Sequence, residues 1–231
     1  MDTWDVNKIF SLTKFLLRKN QSGSISTGDF FNAWNTEQNA YFSDLLGKWQ
    51  RASNNKTGQN TGLIMNETIM TQLSPFTIPG SVTISSGQAT KPDDFIYGLA
   101  RRLSLNSVEY LVTKINHGQI YYVNNDTIDP PSVTDGTYYV IEYEDYYSVL
   151  PSSATGSLLL DYVAHPEDVK WGFTFDAQNR QVYNAGLSVQ PQWSIPTVLT
   201  ITKRTLTSFG VSYKDKDFIN FGEKNTVTGD S

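Results

Sequence analysis

The sequence contains no cysteine among its 231 residues and only two histidines. Without cysteine the chain can form neither a disulfide nor a thiolate metal site. His117 and His165 lie 48 residues apart, each in a predicted turn, and neither belongs to a His-x-x-x-His pair. Because zinc needs three or four nitrogen, sulfur or oxygen ligands, this pattern does not predict a zinc site. We therefore expect a protein without a metal ion or any other cofactor.

Long apolar runs are missing as well. No run approaches the roughly 18 apolar residues of a transmembrane helix. Met1-Asp2 does not begin the basic segment and apolar core of a secretory signal. Hydrophobic residues make up 39% of the chain, which is enough to bury a core at this length. The expectation is a soluble globular protein that has no membrane partner.

Catalytic patterns are absent too. The sequence has no Gly-x-Ser-x-Gly elbow, no Walker loop and no Gly-x-Gly-x-x-Gly. Glu142 and Glu144 are predicted on one face of a strand, about 7 Å apart, a separation that would suit a glycosidase pair. A solvated strand face is the commoner explanation of such a pair. We therefore expect no catalytic residues and no enzymatic activity.

Acidic residues outnumber basic ones, and the formal net charge is -5. This balance argues against a general nucleic-acid-binding surface, because neutralising phosphates requires clustered Lys and Arg.

Aromatic residues are abundant, with 13 Tyr, 12 Phe and five Trp. Aromatic side chains contribute much of the binding energy of protein interfaces and also of ordinary β cores. The predicted structural or interface anchors are Trp34, Tyr41, Trp49, Tyr162, Trp171, Tyr183, Trp193, Phe218 and Phe221.

The first 73 residues are predicted to form an antiparallel helical bundle. Apolar residues recur at three- and four-residue steps from Asp5 to Lys19, with Asp2 or Thr3 as the cap. Ser26 and Asp29 have the spacing of a capping box, which predicts a second helix from there to about Trp49. The polar stretch 51–62 is predicted to be an exposed loop, and a third helix is expected over 63–73.

Residues 74–193 are predicted to be mainly antiparallel β structure, because prolines and glycines break this part into strand-sized pieces. The predicted strands cover 76–78, 81–84, 95–105, 108–115, 120–123, 137–149 and 158–163, followed by a hairpin of 171–175 with 181–183.

A late helix is predicted over about 195–209. Ser194 would cap it, Pro196 would lie in its first turn, and Gly210 would close it. Residues 194–211 are expected to pack on the helical bundle, and 212–231 to form an extended carboxy-terminal tail. Within this tail, 220–231 is predicted to fold only on contact with a partner, and an unused, frayed terminus is the alternative. The fold class is therefore predicted to be α+β.

One group of motifs makes the chain recognisable. It comprises Asp161-Tyr162, Pro166, Trp171-Gly172, Val182-Tyr183 and Ser188, followed by a segment from Pro196 to Gly210-Val211. This order resembles the virion structural proteins of crAss-like and related podoviruses of gut Bacteroidetes, and most of all their head–tail connector, or ring, proteins. The resemblance covers roughly the last third of the chain, and the region from Asp5 to Phe30 more loosely. None of the shared residues is a catalytic motif.

The resemblance implies a role in assembly. It implies a closed ring of identical subunits, expected to be a dodecamer, between the portal and the tail of the virion. The ring directly on the portal is favoured, because a helical pair followed by a β part is similar to portal adaptors. The implied partners are the portal protein, neighbouring connector or tail ring proteins, and genomic DNA that passes through the lumen without sequence-specific binding. The acidic net charge agrees in sign with a lumen that must not hold DNA.

A second function stays open. A carbohydrate-binding or receptor-binding tail module would use exposed Trp and Tyr side chains to stack on sugar rings. A lytic enzyme is a weaker third alternative.

Overall fold

A computed structural model of the chain describes residues 4–19, 25–54, 60–105 and 107–210. These residues form five α-helices and nine β-strands, and the predicted α+β class is confirmed. The chain divides into two compact units. We call residues 1–72 with 166–231 the helical unit, and residues 73–165 the β unit. Residues 166–193, which the sequence-based division grouped with the β region, cluster with the helices instead.

The long helices are α1 (Val6–Lys19), α2 (Thr27–Asn54), α3 (Asn60–Leu73) and α5 (Ile195–Ser208). The loop predicted over 51–62 is wrong at both ends, because α2 continues to Asn54 and α3 begins at Asn60. The stretch after Trp49 lacks apolar residues, and Arg51 is exposed while its side chain still bonds the Gly47 carbonyl, 3.1 Å away. Low apolar content therefore does not mark a loop at 51–54, where α2 continues.

Side chains cap the starts of α1 and α2, whereas Ser194, the predicted cap of α5, makes no side-chain hydrogen bond to the backbone at the start of that helix. At α1 the carboxylate of Asp5 accepts hydrogen bonds from the backbone N–H groups of Asn7 and Lys8. The predicted caps Asp2 and Thr3 lie outside the described residues. At α2 the predicted cap Ser26 is confirmed, since the Asp29 N–H donates to Ser26 Oγ at 3.1 Å. The Asp29 carboxylate accepts from the Ser26 hydroxyl at 2.6 Å, a bond between the two side chains in place of the side chain to backbone bond of a capping box.

The late helix α5 returns to the amino-terminal helices, as predicted. Its Leu206 forms a buried cluster with three leucines of α1, namely Leu12, Leu16 and Leu17. The buried face of α5 is partly polar: Phe209 is 40% exposed, whereas Thr202 and Thr205 are buried. These hydroxyls donate to the carbonyls of Val198 and Ile201 at 2.8 and 3.0 Å, so the threonines are buried without an unpaired donor.

The β unit is a seven-stranded sheet in the order β1-β7-β3-β4-β5-β6-β2. Its strands are β1 (Thr77–Ile84), β2 (Gln88–Thr90), β3 (Phe95–Leu105), β4 (Val108–Ile115), β5 (Tyr138–Glu142), β6 (Tyr146–Leu150) and β7 (Gly156–Ala164). Every neighbouring pair is antiparallel except β4 with β5. Pro79 is accommodated in β1 because this strand pairs with β7 alone and needs no N–H on its outer side.

The two outer strands of this sheet are joined directly by a tight turn. Ser86 and Gly87 both have positive φ, 52° and 74°, as hairpin turns of the primed type require. The Ser85 and Gln88 backbones exchange hydrogen bonds of 2.8 and 3.0 Å across it. The sheet therefore curls round, and residues from all seven strands line one apolar interior.

Two of the predicted strands are wrong. The segment 120–123 is the short helix α4 (Ile120–Asn124), which follows a capping box of Asn116 and Gln119 and a 3-10 turn over His117–Gln119. The segment 137–149 is a hairpin, because β5 ends at Glu142 and β6 begins at Tyr146.

The predicted late hairpin is confirmed as β8 (Phe173–Phe175) paired with β9 (Gln181–Tyr183). Asp176 organises its loop, accepting hydrogen bonds from the backbone and guanidinium of Arg180. The backbone bond from Arg180 is the largest effect that lowers the pKa of the Asp176 carboxyl.

Candidate functional site

Two tryptophans connect buried segments within the helical unit. Trp34 of α2 is fully buried, and its indole N–H donates to Thr202 Oγ1 of α5 at 3.1 Å. Trp193, 4% exposed, donates to Gln38 Oε1 of α2 at 2.9 Å. Both predicted anchors are therefore core residues that tie α2 to the chain around α5.

Tyr41 and Trp49 lie further along α2 and are half-buried. The ring of Tyr41 meets Trp193 edge to face, with 5.5 Å between centroids. The guanidinium of Arg204 covers Tyr41 at 5.1 Å and contacts Asp44 at 3.4 Å. Tyr41 thus forms the edge of the Trp193 cluster.

Trp171 lies in an aromatic cluster with the late hairpin. Its ring contacts Phe10 at 5.9 Å, Phe173 at 5.8 Å and Tyr183 at 5.9 Å. Its indole N–H donates to Asn7 Oδ1 at 3.4 Å. The adjacent Gly172 leaves no room for a side chain, because a Cβ there would overlap the backbone of Leu187. Trp171 therefore joins α1 to the hairpin.

A groove of about 430 Å³ lies beside Trp171 within the helical unit. Phe31, Trp171 and Phe173 supply its apolar wall. Its polar lining includes Asn32, Asp168 and Lys170. Its size would admit a sugar, and Trp171 contributes to its wall although three rings also pack on that side chain.

Tyr162 is a core residue of β7, with 5% of its surface exposed. Its hydroxyl donates to Asp94 Oδ1 at 3.0 Å, and its ring packs on Phe95 with 5.6 Å between centroids. Burial, together with the Asp94 carboxylate, raises the pKa of the Tyr162 hydroxyl. It therefore remains a neutral hydrogen-bond donor.

Glu142 is surrounded by three cations. Its oxygens lie 3.1 Å from Lys91 Nζ, 2.9 Å from Arg101 Nη2 and 2.6 Å from Lys114 Nζ. Burial by itself would raise the pKa of Glu142, but hydrogen bonds from Lys114 and Lys91 and the Arg101 charge outweigh it and lower the pKa. Burial also raises the pKa of the neighbouring Tyr147 to about 12.

This geometry corrects the carboxylate pair considered from the sequence. Glu144 lies in the exposed turn between β5 and β6, so it does not share a strand face with Glu142. Glu142 is held as an anion by its three cations, and a glycosidase acid needs a raised pKa instead. The cluster binds three neighbouring strands and the β2–β3 connection together.

The connection between β4 and β5, residues 116–137, carries the surface that the sequence reasoning missed. We call it the arm. Polar side chains shape it: Asp126 Oδ1 accepts from the Ile128 N–H at 2.8 Å, and Ser132 Oγ donates to Asp135 Oδ2 at 2.7 Å. Thr137 Oγ1 donates to Asp129 Oδ1 at 2.9 Å. The arm is thus held by hydrogen bonds, and no residue of α4 is buried.

The apolar side chains of the arm point outward. Tyr121, Tyr122 and Ile128 are 72%, 74% and 92% exposed. With Leu111 of β4, 86% exposed, they are the four most exposed large apolar side chains among the described residues. The Asn116–Gln119 capping pair was the available signal, because it predicts a helical start where a short apolar run over 120–123 favoured a strand.

Phe218 and Phe221, the last two predicted anchors, lie outside the described residues, as does the predicted tail. In the described ranges no three His, Asp or Glu side chains are grouped so that they could hold a metal ion. None of the helices in those ranges has the length and apolar content to cross a bilayer. In comparisons with known proteins, no family model matches this sequence, and no curated protein is significantly similar to it.

Proposed function

We propose that this chain is a non-catalytic virion structural protein that forms a closed ring of a phage head–tail connector between portal and tail. The observation that carries the proposal is the arm, because it combines a defined polar scaffold with outward-facing Tyr121, Tyr122 and Ile128. Large exposed apolar side chains on an ordered scaffold are typical of surfaces that bind another protein.

Two further features support an assembly role. The motifs around Tyr162, Trp171 and Tyr183 resemble those of connector proteins, and in this fold they supply core and hairpin contacts. The β unit contains four basic and ten acidic residues, so its net charge is -6. Such a charge repels phosphate and suits a passage that DNA must cross without binding.

Copurification with the portal protein of the same virus tests the proposal. The tagged chain should retain the portal protein and should not retain the major capsid protein, which serves as the matched control. Failure to retain the portal protein would contradict a place next to the portal.

A carbohydrate-binding role is the second candidate, and the groove beside Trp171 is the observation that favours it. Binding on a glycan array that Asn32→Ala and Lys170→Ala abolish would support this role. Asn32 and Lys170 line the groove from different segments of the chain. Circular dichroism of both variants should therefore show an unchanged fold, so that lost binding is not a result of unfolding.

A further inference from the structure

Charge is divided unequally between the two units. The β unit has a net charge of -6, whereas the rest of the chain has fourteen basic and thirteen acidic residues, a net charge of +1. The arm contributes three of the acidic residues, Asp126, Asp129 and Asp135, and it contains no Lys or Arg. Its exposed surface is therefore both acidic and aromatic.

Helix α1 has an exposed surface of the opposite charge, which is basic. Lys8, Ser11, Lys14 and Arg18 are exposed at three- and four-residue steps, and Phe15, 49% exposed, lies among them. We call these five residues the basic face of α1. Between Val6 and Lys19 the sequence has four basic residues and no acidic one.

The chemistry of these two surfaces matches. Lysine and arginine heads bind carboxylates and also lie over aromatic rings, as Lys14 does over Phe10 at 4.3 Å. The arm offers both kinds of partner, three aspartates and two adjacent tyrosines whose rings meet edge to face at 5.9 Å. Ile128 and Phe15 add apolar surface on the two sides.

We propose that the arm of one subunit docks on the basic face of α1 of a second copy of this chain. The two surfaces are different patches in different units of the chain, so the contact is head-to-tail. Repeating such a contact builds a ring when the rotation between copies closes. The inference rests on the proposed connector function, and it names the surfaces through which neighbouring subunits of that ring meet.

Cross-linking tests the contact directly, because the chain has no cysteine of its own. Ser11→Cys and Tyr122→Cys are both at exposed positions. The double variant, oxidised in solution, should give a ladder of covalent oligomers on a non-reducing gel. Each single variant should give dimers at most. The control pair Ser11→Cys with Ser81→Cys places the second cysteine at an exposed position of β1, a strand that pairs with neither β4 nor β5, and it should give no ladder.

A product that stays monomeric would overturn the inference, because it would mean that the two positions meet within one chain or not at all. An equal ladder from the control pair would overturn it too, since the contact would then be unspecific.

Charge reversal provides a second test. Lys8→Glu with Lys14→Glu should raise the subunit concentration needed for half-maximal self-association by about tenfold or more. Lys48→Glu with Lys170→Glu changes the net charge equally at exposed positions outside α1, and it should have little effect. Equal weakening by both pairs would show an effect of net charge alone and would overturn the proposal.

Portal copurification, measured beside these tests, separates the two proposals. A ladder without portal retention would support the contact between subunits and contradict the connector function. Portal retention without a ladder would support the connector function and contradict the contact between subunits.

Discussion

The indole N–H of Trp193 donates to the side-chain oxygen of Gln38, 2.9 Å away, in a part of the helical unit that is closed to solvent. The amide nitrogen of Gln38 in turn donates to the Glu167 carbonyl at 3.0 Å. One polar side chain, 1% exposed, therefore connects α2 with the segments on either side of the late hairpin.

Replacing Gln38 by Leu should lower the free energy of unfolding by about 2 to 4 kcal/mol, because it removes the hydrogen bonds that Gln38 makes with the buried Trp193 indole and with the Glu167 carbonyl. Urea denaturation measures the loss. Gln50→Leu is the matched control, since it is exposed on the same helix and should change stability by less than about 0.5 kcal/mol. Combined with Trp193→Phe, the Gln38 substitution should be non-additive. Strict additivity would mean that the two side chains are not coupled.

Replacing Glu142 by Gln should destabilise the β unit by about 2 to 3 kcal/mol, because Lys91 and Arg101 lose the carboxylate that offsets their burial. This loss of stability is smaller than the loss expected on breaking a fully buried ion pair, because 22% of the Glu142 side chain is exposed to solvent. Glu144→Gln, in the exposed turn, is the control. Equal stability of the two variants in urea would contradict the cluster's structural role.

The same carboxylate predicts a pH dependence. The pKa of Glu142 is lowered in the folded protein from its ordinary value of 4.5. Its ionised form therefore stabilises the fold above that pH, and the contribution is lost as pH falls through the lower, folded pKa. The stability difference between wild type and Glu142→Gln should be largest near neutrality and should shrink below about pH 4.5. A difference that grows on acidification has the wrong sign for this account.

Gly172→Ala should destabilise the helical unit by about 1 to 3 kcal/mol, since the added methyl group overlaps the Leu187 backbone. Gly118→Ala is the matched control, because its Cβ would meet no atom within 4 Å. Thermal denaturation of both variants measures the effect. If the Gly172 variant is as stable as the Gly118 variant, the close contact between residue 172 and the Leu187 backbone does not limit the side chain at this position.

Much of the fold follows from local patterns in the sequence. The Ser26 cap of α2 with its partner Asp29, the apolar steps of α1 and the Asp176 turn of the late hairpin are local signals, and the structure has each of them. Sequence reasoning failed where tertiary context decides. Three cations converge on Glu142 from distant positions in the chain, and no spacing along β5 reveals them.

The candidate anchors show the same division. Trp34, Trp193 and Tyr162 were predicted as core or interface residues, but hydrophobicity alone could not tell the two apart. Their burial assigns them to the core. Tyr121 and Tyr122 were predicted as part of a strand, because they belong to a short apolar run, and the capping signal before that run was not used.

Electron microscopy of the purified chain mixed with portal protein tests the central claim most directly. The account predicts closed rings, expected to be dodecamers, seated on the portal. Their density at the subunit boundaries should place the arm of one copy against α1 of the next. Subunits that remain monomeric at high concentration and leave the portal bare would contradict it.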